Sequence, residues 1–329
     1  MKDIFNGLSW IIHDGSESLK EDNWANGLFS IKSVIAHLVK ACIPDYAPFP
    51  LEVIVNECLD DFQDDSGQFH SDFAKILSTK RPLPNKAHLD CDLVFELHPP
   101  ICMRGKWKSQ LLNIEVQNDS RRLDRCIGRG ILYESCIYYM EYGRIYTYPR
   151  YEGAWPVHSI WVCPTAPWYR HGTILDFKTK LNCQPVGRCH PRQQSYDKLR
   201  LTFVNVWGDS GPGQKDIFGF IWALTTASLS VEERIRILKE DFDMQMTQPV
   251  KETIDKYDWM LDLYGRKRFT EEKKQYGEEE HEKGRQEGHE EDALNLLKLK
   301  IRPDIIQKAT GISLGRLNQI ALDNKLTIE

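Results

Sequence analysis

Two short segments of the chain alternate apolar and polar residues with a period of two, which is the pattern of β-strands. In residues 92–97 the apolar side chains share one face, which carries Leu93, Phe95 and Leu97. Residues 111–117 repeat the pattern, with Leu112, Ile114 and Val116 on one face. The opposite faces carry Asp92 in the first segment and Glu115 with Gln117 in the second. If these strands pair, Asp92 can approach Glu115.

Longer apolar patterns predict the other elements. Helical spacing predicts a helix over 28–42, stopped by Pro44, and a second helix after Pro50. Residues 63–87 are interpreted as a polar loop with a short helix at 73–77. A helix over about 121–141 is predicted with Ser120 as its N-cap. Further strands are predicted at 145–148, 159–163, 173–177 and 199–207. Further helices are predicted at 216–228 and at 231–240, the latter opened by Ser230.

The pattern changes after residue 265. Residues 266–292 are mostly charged and are interrupted by glycines, so they form a charged connector in this interpretation. Residues 293–329 recover a helical period, and the break at 310–313 gives helix-turn-helix spacing. The sequence thus divides into a domain over 1–265, the connector, and a small helical C-terminal module. The module has few cations, which favours protein interaction, such as homodimer formation, over DNA binding.

Composition places limits on this interpretation. The net charge is −5, so a nucleic-acid-binding protein of this kind must concentrate its cations locally. No stretch approaches the length of a membrane span, and the N-terminus lacks the apolar core of a signal peptide. The nine cysteines are scattered and odd in number, which favours a reducing, cytoplasmic location. Cys183, Cys189 and His190 lack zinc-site spacing, so buried or loop thiols are the favoured interpretation.

The two acids suggest metal chemistry. Mg²⁺ prefers one or two carboxylates completed by water and phosphate oxygens, so Asp92 and Glu115 could share such an ion. Gln117 projects beside Glu115 and could position a water molecule. Three arginines, Arg122, Arg125 and Arg129, follow at helical spacing and form one basic stripe. The stripe could contact phosphates, or it could pair with neighbouring acids and solvent. Acids on a polar strand face are usually only solvated.

At these residues the chain resembles the PD-(D/E)XK nuclease superfamily, and within it the Rpn/YhgA-like group of recombination-promoting nucleases. The resemblance lies in Asp92, in the motif from Glu115 to Gln117, and in the Arg-Gly-Ile-Leu-Tyr sequence 129–133. It continues through 142–163 and 231–243 and covers most of the chain. The resemblance implies a restriction-endonuclease-like α/β fold, with a mixed sheet flanked by helices. It departs from the superfamily at Gln117, where a lysine is usual.

The resemblance also implies site residues. Asp92 is preferred over Asp90, which lies on the same strand face, because the apolar run after Asp92 matches the family best. Glu52 could add a ligand, as acids of the first helix do in some nucleases of this superfamily. The expected activity is Mg²⁺-dependent endonucleolytic hydrolysis of DNA, linked to recombination or mobile elements, with Mn²⁺ as a substitute. The alternative is a catalytically weak or inactive nuclease-like scaffold that binds nucleic acid or a protein partner.

Overall fold

A computed structural model describes the chain at residues 26–64, 66–77, 80–82, 88–117, 120, 122–180, 192–206, 214–260, 290, 292–299 and 301–324. The chain divides into two compact units, Met1–Leu261 and Asp262–Glu329. Most of the predicted connector 266–292 and the cysteines Cys183 and Cys189 lie outside the described residues.

The first unit is a mixed α/β structure. Its strands are β1 Asp61–Gln63, β2 Phe69–Ala74, β3 Lys80–Pro82, β4 His88–Asp90, β5 Leu93–Leu97, β6 Gln110–Val116, β7 Val157–Cys163, β8 Thr173–Lys178 and β9 Leu199–Asn205. Its helices are α1 Lys32–Cys42, α2 Leu51–Glu57, α3 Leu123–Met140, the short α4 Gln193–Tyr196, α5 Ile217–Thr225, α6 Val231–Glu240 and α7 Gln248–Met260.

Five strands form the central mixed sheet, in the order β5-β6-β7-β9-β8. β5 and β6 are antiparallel, β6 and β7 are parallel, β7 and β9 are parallel, and β8 returns antiparallel to β9. The parallel pair β6 and β7 is joined through helix α3, because parallel neighbours need a crossover connection. The strands β1 with β2 and β3 with β4 form two separate antiparallel pairs.

Both faces of the central sheet are buried, each against different helices. The face that carries Leu93, Leu112 and Ile160 belongs to a core with residues of α1, α2, α5, α6 and α7. The opposite face carries Trp161 and Leu201 and packs against α3. The faces that the sequence analysis treated as polar therefore lie beneath a helix. Burial on both sides is the general property of sheets with βαβ crossovers.

Several predicted elements are confirmed. Helix α1 ends at Cys42, two residues before Pro44, and its predicted apolar face is buried. Helix α6 begins after Ser230, whose hydroxyl accepts the backbone N–H of Glu233 at 3.2 Å. The strand predictions at 92–97, 111–117, 159–163, 173–177 and 199–207 coincide with β5, β6, β7, β8 and β9.

Two predicted elements are wrong. The helix expected at 73–77 is absent, because Phe73 and Ala74 end strand β2, which pairs with β1 through Asp61 and Ala74. The strand expected at 145–148 is a series of turns. The backbone N–H groups of Arg144 and Ile145 bond to the carbonyl of Glu141 at 3.0 and 2.8 Å and so fold the chain back on the end of α3.

A buried arginine ties three helices of the first unit together. Arg234 in α6 is fully buried. Its guanidinium donates to the carbonyls of Ala223, Leu224 and Thr226 at 2.5–2.9 Å and to the Asp258 carboxylate of α7 at 3.1 Å. The three carbonyls belong to the C-terminal end of α5, where intrahelical donors are lacking. One side chain thus satisfies acceptors that burial would otherwise leave unpaired.

Among its described residues, the second unit has a helical stretch at 292–298, followed by helices α8 Pro303–Thr310 and α9 Leu314–Asp323. Gly311 ends α8 in the left-handed conformation at φ 74°, and the Ser313 hydroxyl caps α9 by accepting the Arg316 N–H. Buried residues of these two helices and of the helical stretch 292–298 form a small core: Ala293, Leu297, Ile306, Leu317, Ile320 and Ala321. In the part of the chain that the structure describes, no helix combines the length and apolarity needed to cross a bilayer.

Candidate active site

The register of β5 on β6 brings Asp92 beside Glu115. Leu93 pairs with Ile114, so Asp92, immediately before β5, lies opposite Glu115. The Asp92 N–H donates to Oε1 of Glu115 at 3.0 Å, and the Val116 N–H donates to Oδ2 of Asp92 at 3.0 Å. These reciprocal bonds extend the pairing of the two strands with side-chain acceptors. Two carboxyl groups from neighbouring strands consequently meet at one end of the sheet.

Glu115 is almost completely buried, with 3% of its surface exposed. Burial, followed by the neighbouring charge of Asp92, raises the pKa of Glu115 well above its usual value. The Asp92 N–H, the Asn113 side chain and the charge of Arg129 act in the opposite direction. A buried carboxylate next to another carboxylate is unfavourable unless a positive charge compensates it. The pair therefore has the electrostatic character of a cation site.

Arg129 extends from α3 to the end of β6. Its Nη1 donates to Oε1 of Gln117 at 2.9 Å, and its Nη2 donates to the Tyr133 hydroxyl at 3.3 Å. The guanidinium carbon lies 5.1 Å from the ring centroid of Trp161 and 5.5 Å from that of Tyr133. These ring faces and hydrogen bonds fix the guanidinium beside the acid pair, because cation–π contacts are favoured within about 6 Å.

A hydrogen-bonded network beneath α3 orients Trp161. Asn113 and Ser159 are register partners on β6 and β7, as are Glu115 and Trp161. The Ser159 hydroxyl accepts from Nδ2 of Asn113 at 2.8 Å and from the indole N–H of Trp161 at 3.0 Å. The parallel pairing thus places the ring that contacts Arg129 one strand away from Glu115.

The close approach of α3 to the sheet has a local cause in Gly130. A methyl group at this position would meet the side chain of Leu201 in β9 at 2.6 Å. The next residue toward the N-terminus is Arg129, so the contact brings the first turns of α3 near the sheet.

On the same face of the sheet, burial raises the pKa of Glu134 to about 8. Hydrogen bonds from backbone N–H groups of Ser159 and Arg200 partly offset this increase.

The structure separates the predicted arginine stripe. Arg129 is half-buried at the site, whereas Arg125 is exposed on α3. Arg122 is exposed and precedes the helix as its N-cap residue. Glu52 is exposed on the first turn of α2. Asp90 ends strand β4, and its side chain lies outside what the structure describes.

Ser120 does not have the predicted N-cap role. Helix α3 begins at Leu123, and its N-cap residue Arg122 makes no side-chain capping bond. Ser120 is buried and accepts hydrogen bonds from Nη2 of Arg170 through its backbone carbonyl and, at 3.3 Å, through its hydroxyl. The segment after Gln117 is thus anchored to the turn beyond β7 rather than capping α3.

Several neighbours of the site escaped the sequence analysis. Tyr133 follows Arg129 by four residues, so helical spacing alone could have indicated their contact. Asn113 shares a strand face with Glu115 and was visible in the same alternation. Ser159 and Trp161 depend on the parallel pairing of β6 with β7, and nothing in the sequence specified that register.

A second polar cluster lies near the other end of β5. Ligand atoms of Asp60, Glu96 and His98 lie within 4.8 Å of one another, an arrangement that could hold a metal ion. Nε2 of His98 lies 3.3 Å from Asp60, and Arg144 pairs with Glu96 at 2.9 Å. A cation would have to compete with the Arg144 guanidinium for Glu96. Beside the Asp92–Glu115 pair, the Arg129 guanidinium bonds to Gln117 at 2.9 Å.

Comparison of the chain with protein-family models, curated proteins and solved structures finds no match in any of the three. The fold and the site define a mixed α/β protein in which two carboxyl groups meet beside an amide and a guanidinium. Two carboxylates can coordinate a hard divalent cation, the amide can donate to an oxygen, and the guanidinium can contact a phosphate.

Proposed function

We propose that the chain is a Mg²⁺-dependent DNA endonuclease that hydrolyses phosphodiester bonds, with a restriction-endonuclease-like core. The observation that supports this proposal most is the meeting of Asp92 and buried Glu115 at the end of paired strands. The residues fit a divalent cation because burial and then the charge of Asp92 raise the pKa of Glu115, and a bound cation would stabilise both carboxylates. A carboxylate oxygen carries more than one lone pair, so the observed N–H bonds are compatible with metal coordination.

In this mechanism Asp92 and Glu115 hold the cation. When bound, the cation would lower the pKa of a water molecule and stabilise charge that develops on the phosphate. Mn²⁺ is expected to substitute for Mg²⁺, since both accept carboxylate, carbonyl and water ligands.

Gln117 has a restricted role. Arginine has only hydrogen-bond donors, so the amide oxygen of Gln117 must face Arg129 and its amide nitrogen must face elsewhere. Gln117 can therefore hold an attacking water molecule by donating a hydrogen bond, but it cannot accept the proton of that water. Arg129 is proposed to supply the positive charge that the usual lysine would carry and to contact the scissile or a neighbouring phosphate. Arg122 and Arg125, both exposed, are proposed to contact the DNA backbone farther out.

The alternative proposal is a nuclease-like scaffold that binds nucleic acid or a protein without cutting. It is favoured by the neutral Gln117 and by the near-complete burial of Glu115.

The second unit fits an interaction role in either case. Arg316 on α9 forms a two-point ion pair with Glu290, at 2.7 and 2.8 Å. A DNA-recognition helix would need such a cation for phosphate or base contacts, and here Glu290 already neutralises it. We propose that this unit is a small helical module that forms a homodimer.

Plasmid cleavage tests the proposal. Wild-type protein is expected to nick or cut DNA with Mg²⁺ or Mn²⁺ and not with EDTA. Asp92→Asn and Glu115→Gln should each abolish cleavage, because each replacement removes a negative charge that holds the cation while keeping the size and shape of the side chain. Asp60→Asn is the matched control, since Asp60 belongs to the second cluster, and it should retain cleavage.

Two results would contradict the proposal in different ways. Cleavage that survives Asp92→Asn but is lost in Asp60→Asn would move the site to the second cluster. DNA binding without cutting under any divalent cation would favour the scaffold. Thermal unfolding and circular dichroism of each variant establish that a lost activity is not a lost fold.

A further inference from the structure

Tyrosines cluster on the surface beyond the C-terminal end of α3. Tyr142, Tyr148 and Tyr151 are exposed to 49%, 74% and 53%, whereas Tyr146 between them is buried at 8% exposure. The ring of Tyr146 lies 5.6 Å from that of Tyr142 and 6.2 Å from that of Tyr151, and Tyr148 lies 6.2 Å from Tyr151. Tyr142, Tyr146, Tyr148 and Tyr151 are called the tyrosine surface below.

The tyrosine surface is held by fixed contacts at both ends. The backbone carbonyl of Glu141 accepts from the N–H groups that begin the turn, and the Glu141 side chain accepts the N–H of Trp155 at 2.8 Å. The Tyr146 hydroxyl donates to the Tyr138 carbonyl at 3.4 Å. A preorganised surface loses less conformational entropy when it binds a partner. Packing demands explain the buried Tyr146, but they do not explain three exposed rings around it.

The charges around these rings favour an anionic partner. Arg150 is exposed within the same segment, and Lys108 donates to the carbonyl of Glu152 beside it. Arg144 is also exposed and pairs with Glu96 at 2.9 Å, so a phosphate there would share its guanidinium with that carboxylate. Within residues 138–155, all of which are described, Glu152 is the only exposed carboxylate. The other acid, Glu141, is buried, and burial raises its pKa to about 7. Aromatic rings combined with guanidinium groups are a common means of binding unpaired bases and their phosphates.

We propose that the tyrosine surface binds single-stranded nucleic acid, with bases stacked on Tyr142, Tyr148 and Tyr151 and phosphates near Arg144 and Arg150. Paired bases do not offer their faces, so a duplex should not use these rings. Tyr142 follows Arg129 by 13 residues, which places the surface roughly 20 Å from the candidate active site at the rise of an α-helix. This inference rests on the proposed function in one respect: the polymer that binds here is a nucleic acid, the class of substrate that the Asp92–Glu115 site is proposed to cut.

Fluorescence anisotropy with a labelled oligothymidylate tests this inference on the full chain. The background is Asp92→Asn in EDTA, so binding is measured without cleavage. Stacking contributes about 1–3 kcal/mol per base, so Tyr148→Ala should weaken binding by about fivefold or more, and Tyr148→Ala with Tyr151→Ala by more than either alone. Phe69→Ala is the matched control, because Phe69 is a 64% exposed aromatic residue on β2, and its affinity should be unchanged.

A second measurement separates stacking from charge. Arg150→Gln should reduce the slope of log affinity against log salt by about 0.7, the value for one phosphate contact on a single strand. The tyrosine variants should leave this slope unchanged. An equal loss for duplex DNA and single strands would overturn the proposal, because it would remove base stacking as the cause.

Other outcomes are equally decisive. Equal affinity of the tyrosine variants and Phe69→Ala would overturn the inference. A wild-type chain that does not bind single strands would also overturn it, and protein contact would remain as the use of the surface. Single-strand binding that depends on the tyrosines, in a protein that never cuts DNA, would support this inference while contradicting the proposed nuclease. Cutting of DNA without tyrosine-dependent binding would support the proposed nuclease and contradict this inference.

Discussion

Replacing Asp92 with asparagine should stabilise the metal-free protein at alkaline pH while it abolishes cation binding. The substitution removes one negative charge beside Glu115 but keeps an oxygen that can accept the Val116 N–H. Glu115 has a raised pKa in the folded state because of burial and then Asp92. The free energy of unfolding therefore falls as the pH rises above the pKa that Glu115 has in the unfolded chain. It stops falling once the pH exceeds the raised pKa of Glu115 in the folded protein.

The size of the effect follows from the pairing geometry. Side chains directly opposed across an antiparallel pair lie about 5 Å apart. Two unit charges at that distance repel by roughly 3 kcal/mol at an effective dielectric constant of about 20. Asp92→Asn should thus raise the free energy of unfolding by up to about 3 kcal/mol at alkaline pH. Near the usual pKa of a glutamate the difference should vanish.

Urea unfolding in EDTA across the pH range measures this difference. A double-mutant cycle with Glu115→Gln isolates the coupling, because it subtracts effects that either variant has alone. Mg²⁺ should stabilise the wild-type protein by mass action and leave Asp92→Asn unaffected. If Asp92→Asn is no more stable than wild type at any pH in EDTA, or the cycle gives no coupling, then the two carboxylates do not interact and the cation site is refuted.

Two further predictions concern the fold that supports the site. Arg234→Met should lower the free energy of unfolding by about 3–5 kcal/mol in urea, because it removes the guanidinium from the buried Asp258 carboxylate and from three carbonyls at the end of α5. A loss below about 1 kcal/mol would mean that water replaces the guanidinium. Gly219→Ala should lower the melting temperature, because its methyl group would meet the backbone oxygen of Gln214 at 1.9 Å. Gly128→Ala, a helical control with open space around it, should be neutral or stabilising by up to about 1 kcal/mol, and equal effects of the two alanines would contradict the packing argument.

Local patterns were sufficient where the physical cause is local. The period of two determined which residues of β5 and β6 share a face, and Pro44 bounded the C-terminal end of helix α1. The Ser230 cap was readable because its hydroxyl bonds to an N–H only three residues away. The same reasoning gave errors where a distant segment decided the structure. Residues 73–77 have helical spacing, yet Phe73 joins a strand because β1 is available to pair with it.

The site shows the same division. Alternation placed Glu115 and Gln117 on one strand face, but it described that face as polar and did not show that α3 covers it. The stripe of three arginines was predicted as a unit, and the structure turns Arg129 inward while Arg122 and Arg125 stay exposed. Which arginine faces the sheet depends on where the helix begins and on the close approach at Gly130, which is made against Leu201 of β9.

The sequence by itself determined the strands that carry the two acids, the faces on which those acids lie and the presence of a basic helix after them, because alternation and helical spacing are properties of neighbouring residues. Only the tertiary structure decided that Glu115 is buried, that Trp161 and Tyr133 hold Arg129 against Gln117, and that tyrosines gather at the far end of α3. Those outcomes depend on the parallel register of β6 with β7 and on the packing of a helix across the sheet. Such contacts join residues far apart in the chain, and no local pattern specifies which distant residues come into contact.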